Sequence, residues 1–463
     1  MAQPKVRLMT TLKGLQRSLG LWSIVMLGLG YMTPAVVFDT FAMVSRDTGG
    51  HVPMAYLLTL AAMLLTALSY GRMVSVFPTS GSAYTYAQQT IHPYVGFMVG
   101  WLALLDYLLL PMVNLVLMRN YLAVFFSNVP PWVFVVTLSA LLTWINVRGI
   151  KSSSAVGSFF VYFQFAVILI FAFFAINTIA GSGSEEISYS TIFSLTPFYD
   201  SEMELLPLIS GATILCFSFL GFDAVTTYSE EAHNPQKTIP RAIFLTALAG
   251  GVIFILCSYL TQLVFTDLSL FHDVENSSAP DIAAHVGGKS FELIFLLAAF
   301  AGAFASAIAS QASVARLLYV MGRDQVISQK HFARIDQRFR TPAFNLKLAG
   351  VVGLVACFVS VEQATDFINF GALIAFTFVN VSVLAHYVWK LGKYRTVKDF
   401  ITNLLIPGAG CATVIVLWLN IKANSFYIGI CWALIGAAYL LYGILREKDF
   451  TGLRLADLQP VTE

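Results

Sequence analysis

Long apolar runs alternate with short polar stretches along nearly the whole chain. A helix crosses a bilayer core in about 20 predominantly apolar residues. On that measure the pattern predicts twelve spans, at 21–45, 52–76, 95–126, 130–147, 156–180, 205–229, 240–265, 290–321, 343–361, 366–390, 401–421 and 425–445. The third and eighth are long enough to tilt or to project beyond the bilayer. The stretch Ser210–Pro235 stands out among the runs. Gly221 sits in its middle and Asp223 just after. A carboxylate at the centre of a membrane helix costs about 2.5–3.5 kcal/mol, so such acids face a cavity or a partner. A glycine beside a carboxylate is where a helix can break, and broken helices are tolerated at membrane depth only where they line a cavity. A packing glycine and a structural acid remain the competing reading.

The first run repeats the theme. It reads Leu27-Gly28-Leu29-Gly30-Tyr31-Met32-Thr33-Pro34 and continues to Asp39. Two glycines and a proline interrupt a helix. Interrupted first and sixth spans lie five apart. An odd number of spans per half inverts the topology of the second half, which is the signature of a five-plus-five inverted repeat with its site at the two breaks. The expected organisation is a cytoplasmic tail over 1–20, a first repeat over 21–180, a second over 205–390, two appended spans over 401–445 and a cytoplasmic tail over 446–463.

Composition agrees with a polytopic membrane protein: 57% of residues are hydrophobic and 11% charged, against about 25% charged in soluble domains. Placing the N-terminus in the cytoplasm puts 23 of the 27 lysines and arginines on the inner side; the positive-inside rule therefore predicts both termini there. The outer loops are acidic, with Glu185, Glu186, Asp200, Glu202 and Glu204 in one and Asp267, Asp273, Glu275 and Asp281 in another. Such a surface concentrates cations, although outer loops also simply lack Lys and Arg. The five cysteines fall in apolar segments without metal-ligand spacing and read as small buried hydrophobes. The basic first residues lead into a full-length span with no small-residue cleavage site, so no cleavable signal peptide is expected.

Other polar positions interrupt the spans. Asp106-Tyr107 lies in the third. Ser306, Ser310, Gln311 and Ser313 share the eighth with small residues that let helices approach closely, and Asn369 lies in the tenth. Packing hydrogen bonds account for these as well as a ligand does. Nucleotide-binding loops, dinucleotide fingerprints and paired metal-spaced histidines are absent from the sequence, so no enzyme is expected, nor any cofactor or metal. Transport without a nucleotide site runs on gradients.

The chain resembles the amino acid–polyamine–organocation superfamily over essentially its whole length. The resemblance is carried by Phe77-Pro-Thr-Ser-Gly-Ser-Ala-Tyr-Thr-Tyr86, Val95-Gly-Phe-Met-Val-Gly-Trp101, Phe217-Ser-Phe-Leu-Gly-Phe-Asp223, Ser229-Glu-Glu-Ala-His-Asn-Pro235 and Ala315-Arg-Leu-Leu-Tyr-Val-Met-Gly-Arg-Asp324. Within it the chain looks closest to bacterial proton-driven putrescine importers, through Phe38-Asp-Thr-Phe41, Gly50-His-Val-Pro53, Leu105-Asp-Tyr-Leu108, Gly221-Phe-Asp-Ala-Val-Thr-Thr227 and Asn369-Phe-Gly-Ala-Leu-Ile-Ala-Phe-Thr-Phe-Val-Asn380. The resemblance implies an all-α integral membrane protein of the LeuT type. Two departures from the superfamily pattern matter. Amino acid carriers typically hold the substrate carboxylate on free N–H groups at a glycine- and serine-rich first break, whereas Pro34 has no N–H to offer. Some proton-coupled relatives have a lysine midway along the fifth span, where this chain has Gln164, which cannot titrate.

The resemblance implies import of a small cationic amine, putrescine by preference, with a proton across the bacterial inner membrane. An importer of a cationic or aromatic amino acid, and a transporter-like sensor or membrane partner of another subunit, are the competing readings. A diamine needs carboxylates or carbonyls at its ends and aromatic or aliphatic walls between. The expected substrate site draws on Gly28, Gly30, Tyr31, Asp39, Asp106, Tyr107, Phe217, Ser218, Phe219, Gly221, Asp223 and Ser313. Asp223 and Asp106 are the candidates to carry the proton. Phe217, which aligns with an aromatic that closes over the substrate in antiporter relatives, and Glu230 are the gate candidates. Glu230 and Glu231, at the cytoplasmic end of the sixth span, are expected to pair with Lys or Arg as an inner gate or simply to sit in solvent. The expected partners are the cargo, a proton and membrane lipid, with no nucleic acid.

Overall fold

The computed structural model describes residues 19–148, 154–181, 193–229, 231–339 and 341–446. All of its regular structure among those residues is helical. The long helices are α4 (Val52–Val76), α6 (Pro93–Phe125), α8 (Ser154–Gly181), α10 (Pro235–Val264), α11 (Ala279–Arg323), α13 (Val361–Val383) and α15 (Ala423–Leu445). α14 (Ile406–Leu419) completes the helical stretch Val397–Leu419. Ten helical stretches among the described residues are long and apolar enough to cross a membrane. α7 (Pro131–Val147) and α12 (Ala343–Gly353) are apolar but shorter.

The predicted first span is three pieces: α1 (Leu21–Met32), α2 (Val36–Asp39) and α3 (Phe41–Thr48). The predicted sixth is α9 (Leu205–Leu215) followed by two 3-10 turns at Cys216–Phe219 and Ala224–Tyr228. Both are interrupted near the residues that the sequence marks. α11 is two helices joined at Gly288, whose φ of 70° is not helical. The sequence predicts only the second of these. It also leaves α5 (Ser82–Thr90) unassigned, because its tyrosines, threonines and glutamines show no apolar stripe.

Burial separates centre from rim. Over an apolar 18-residue window of each stretch, the buried share is 83% in α6, 72% in Leu205–Tyr228 and 67% in Leu21–Asp39, but 28% in Phe159–Ala180 and 17% in α15. The rim helices turn large apolar side chains such as Phe173, Leu434 and Leu445 outward, as a lipid-facing surface requires. The central group, α6 and the two interrupted segments, carries the buried carboxylates Asp39, Asp106 and Asp223. Pro111 inside α6 removes a helical N–H four residues after Tyr107, so the helix is locally weakened one turn from Asp106.

Candidate functional site

The first interruption follows from three residues. α1 stops at Met32 because Thr33 adopts the left-handed conformation, φ 52°, and Pro34 cannot supply the next helical donor. The chain re-enters a helix at Val36. Neighbouring helices hold the break open. Ser306 Oγ donates to the Tyr31 carbonyl at 2.7 Å and accepts from Asn114 Nδ2 at 3.1 Å. Gln164 Nε2 donates to the Ala298 carbonyl at 3.3 Å, and its Oε1 is buried without a described partner.

At the second interruption Gly221 has φ +122°, a region that essentially only glycine occupies. A Cβ there would lie 2.5 Å from Cδ1 of Tyr31. The two breaks therefore pack directly on each other, and glycine is required for both backbone and contact. Gly221→Ala should lower stability by about 1–3 kcal/mol, read as an earlier thermal unfolding transition of the detergent-solubilised protein; an unchanged transition would contradict the packing of the breaks.

Asp223 lies immediately beyond. Its Oδ2 accepts from the Tyr107 hydroxyl at 2.7 Å and its Oδ1 from the Gly221 N–H at 3.3 Å. Asp106, one residue before Tyr107, is 4% exposed and lies within electrostatic reach of Asp223. No described residue donates a hydrogen bond to it. Tyr31 faces both acids and has Ser313 beside its phenol. The structure thus gathers Tyr31, Asp106, Tyr107, Gly221, Asp223 and Ser313 of the expected set.

The others are placed around this centre. Gly28 lets α1 approach α10 and the second 3-10 turn, where a Cβ would meet Thr246 at 2.7 Å and Val225 at 2.8 Å; Gly30 faces Val161. Ser218 shares a hydrogen bond of 3.0 Å with Tyr56. Phe219 packs against Tyr56 and Phe254, and Phe217 is buried in the first 3-10 turn. Asp39 stands apart from the acid pair. Its carboxylate accepts from Tyr121 at 2.7 Å and from the Ser277 hydroxyl, so its partners tie α2 to the segment before α11. Asn369 Nδ2 donates to the Ile214 carbonyl at 3.4 Å. Glu230 lies outside the described residues. Its neighbour Glu231 pairs with Arg316 at 3.5 Å, and that guanidinium also lies over the Tyr228 ring.

At the far end of the bundle Arg46 and Lys422 bind Glu362 and Asp47. Burial disfavours the Lys422 ammonium, but its hydrogen bond to Glu362 and the charges of Asp366, Asp47 and Glu362 outweigh that and raise its pKa. A cavity of about 490 Å³ opens among His51, Ser194, Asp200 and Gln262, away from Asp106 and Asp223. No group of three or more metal-ligating side chains occurs among the described residues.

Sequence reasoning missed Tyr70 and Tyr86. Both rings are fully buried, 6.2 Å apart, and Tyr70 packs edge-on against Phe222 at 5.9 Å. Phe376 closes the same aromatic wall, 5.4 Å from Phe222. Tyr70 sits in an apolar run where a hydroxyl changes the pattern little. The signal that could have found it is the rule that a buried tyrosine hydroxyl needs a partner.

The amino acid permease family model matches residues 23–443. The low-affinity putrescine importer PlaP of Escherichia coli (strain K12) is 45% identical over 427 residues, 92% of this chain and 93% of that one. The methylthioribose transporter of Bacillus subtilis (strain 168) is 26% identical over 465 residues, 93% of this chain and 94% of its own length. The branched-chain amino acid permease BcaP of the same organism is 24% identical over 463 residues, covering 94% of this chain and 95% of its own. Matches that run from α1 into α15 and take in both interrupted segments leave one assignment: the chain belongs to the amino acid permease family of the amino acid–polyamine–organocation superfamily.

Proposed function

We propose that the chain is a secondary active transporter, not an enzyme, that imports a small cationic amine across the bacterial inner membrane, putrescine by preference. The observation that carries the reading is the pair of carboxylates, Asp106 and Asp223, both buried, within electrostatic reach of each other and of Tyr31 at the contact of the two breaks. A buried acid pair is costly unless a cation or a proton shares it. A diamine brings two ammonium groups and an apolar linker, which suits the acids and the rings of Tyr31 and Tyr107. The importer name of the 45% identical relative points the same way.

The architecture proposed is twelve spans, with repeats over 21–180 and 205–390 and two appended helices over 401–445. The contact between Gly221 and Tyr31 supports it, since inverted repeats bring their broken helices together at the site. Lysine and arginine placement supports cytoplasmic termini at 1–20 and 446–463. Alternating access would open one end at a time. Glu231 with Arg316 is the proposed inner gate, Glu230 its neighbour, and Phe217 the proposed aromatic lid; membrane lipid surrounds the whole. Asp223, with Asp106, is the proposed proton carrier. Gln164 does not titrate and so takes no proton.

Uptake of labelled putrescine by proteoliposomes tests the reading directly. Wild-type vesicles with an inward proton gradient should accumulate it. An uncoupler should bring the internal concentration down to the external one while leaving entry itself intact. A sodium requirement that survives at clamped potential would replace the proton with sodium. The name of the BcaP relative supports an amino acid importer as the second reading.

A further inference from the structure

Three hydroxyls beside the acid pair are left over from all of the contacts described. Tyr70 OH, Ser82 Oγ and Tyr86 OH are each buried without a described hydrogen-bond partner. Their residues are 0%, 4% and 0% exposed. They lie together. Tyr70 and Tyr86 meet edge to face, Ser82 stands beside the Tyr70 phenol outside hydrogen-bonding geometry, and α5 packs on the turn that follows Asp223. Both phenols are within electrostatic reach of Asp223, and Tyr70 also of Asp106. Ser82 holds a left-handed backbone, φ 50°, at the start of α5. Strain of that kind collects at ligand sites. A buried polar atom without a partner costs stability, so three in one place next to two acids point to a polar ligand.

We propose that Tyr70, Ser82 and Tyr86 form a hydroxyl cradle that accepts the N–H bonds of one primary ammonium of the cargo, with Asp223 as its counter-charge. The inference rests on the amine reading above and adds what sets selectivity. A hydroxyl can donate or accept. Beside two carboxylates an anion is repelled, so the oxygens face a cation. A primary ammonium has three N–H donors for three oxygens, whereas each N-methyl group removes one donor and adds bulk. The cradle therefore selects primary over N-methylated amines, and this goes beyond charge alone. The aromatic wall of Phe222 and Phe376 leaves the apolar linker in contact with rings.

The test compares putrescine with N,N,N′,N′-tetramethylputrescine, which keeps the charge and has one N–H at each end. The full-length chain is reconstituted, and the KM for putrescine and the inhibition constant of the methylated amine are measured in the same vesicles. Wild type should favour putrescine. Tyr70→Phe and Tyr86→Phe, which keep the rings, and Ser82→Ala should each raise the putrescine KM about fivefold, the loss of one hydrogen bond. The inhibition constant of the methylated amine should stay unchanged, which also shows that the variants fold. An unchanged ratio of the two constants, or an equal loss of both amines, overturns the cradle. Wild-type vesicles that take up no putrescine sink the amine reading, and the cradle with it; wild-type uptake with unaltered variants sinks the cradle alone.

Discussion

Asp223→Asn and Asp106→Asn are each expected to cut putrescine uptake at least about tenfold, equivalent to ~1.4 kcal/mol, while the protein still reaches the membrane. The two substitutions are close to isosteric and remove one charge. Their structural costs differ. Asp223 accepts from Tyr107 and from the Gly221 N–H, so an amide there keeps one acceptor for the Gly221 N–H and turns its NH2 toward the Tyr107 hydroxyl, which must switch from donor to acceptor. Part of its loss would come from a disturbed second break. Asp106 receives no hydrogen bond from a described residue, so Asp106→Asn would leave the fold untouched and report the charge alone. Tyr107→Phe adds the control, since it frees Asp223 of a donor but keeps the acid. Uptake in proteoliposomes, with surface expression measured in parallel, gives the answer. Wild-type rates in both acid variants would exclude the pair from the translocation path.

What could be read from the sequence was whatever a single residue type forces on the backbone. Pro34 cannot continue a helix, and Gly221 next to an acid marks a place where the backbone turns. Both interruptions therefore lie where the pattern placed them, and two of the three candidate acids, Asp106 and Asp223, lie within electrostatic reach of each other. What depends on distant partners could not be read. Asp39 is as buried as the others, yet its partner Ser277 lies 238 residues away in a loop that carries no apolar signal. α5 is buried although its residues are polar, so a hydropathy pattern treats it as a connection. Tyr70 and Tyr86 share this difficulty: a hydroxyl is one atom on a large ring, and only the packing around it shows that it has no partner. The kink at Gly288 splits α11 just before the predicted eighth span, because the Gly287–Gly288 pair weakens a helix without specifying what precedes it.

Putrescine should outcompete ornithine, which is putrescine plus a carboxylate, by at least about tenfold. Broken helices bind carboxylates through free N–H groups where the helix dipole is positive. At the first break Pro34 has no N–H, the Val36 N–H is spent on the Thr33 carbonyl at 2.9 Å, and the Phe38 N–H on the Ala35 carbonyl at 3.1 Å. At the second, the Leu220 N–H goes to Phe217 at 3.0 Å, the Phe222 N–H to Phe219 at 3.3 Å, and the Gly221 N–H to Asp223 itself. A carboxylate bound at any of these N–H groups would have to displace its bond while facing Asp106 and Asp223. A mispaired charge in a desolvated site costs several kcal/mol, so tenfold is a lower bound. An ammonium meets neither obstacle, and cadaverine, longer by one methylene, should stay close to putrescine. The measurement is inhibition of labelled putrescine uptake by putrescine, cadaverine, ornithine, arginine and histidine in one assay. If any of the three amino acids outcompetes both diamines, the occupied N–H groups do not set the cargo, and the site belongs to an amino acid importer.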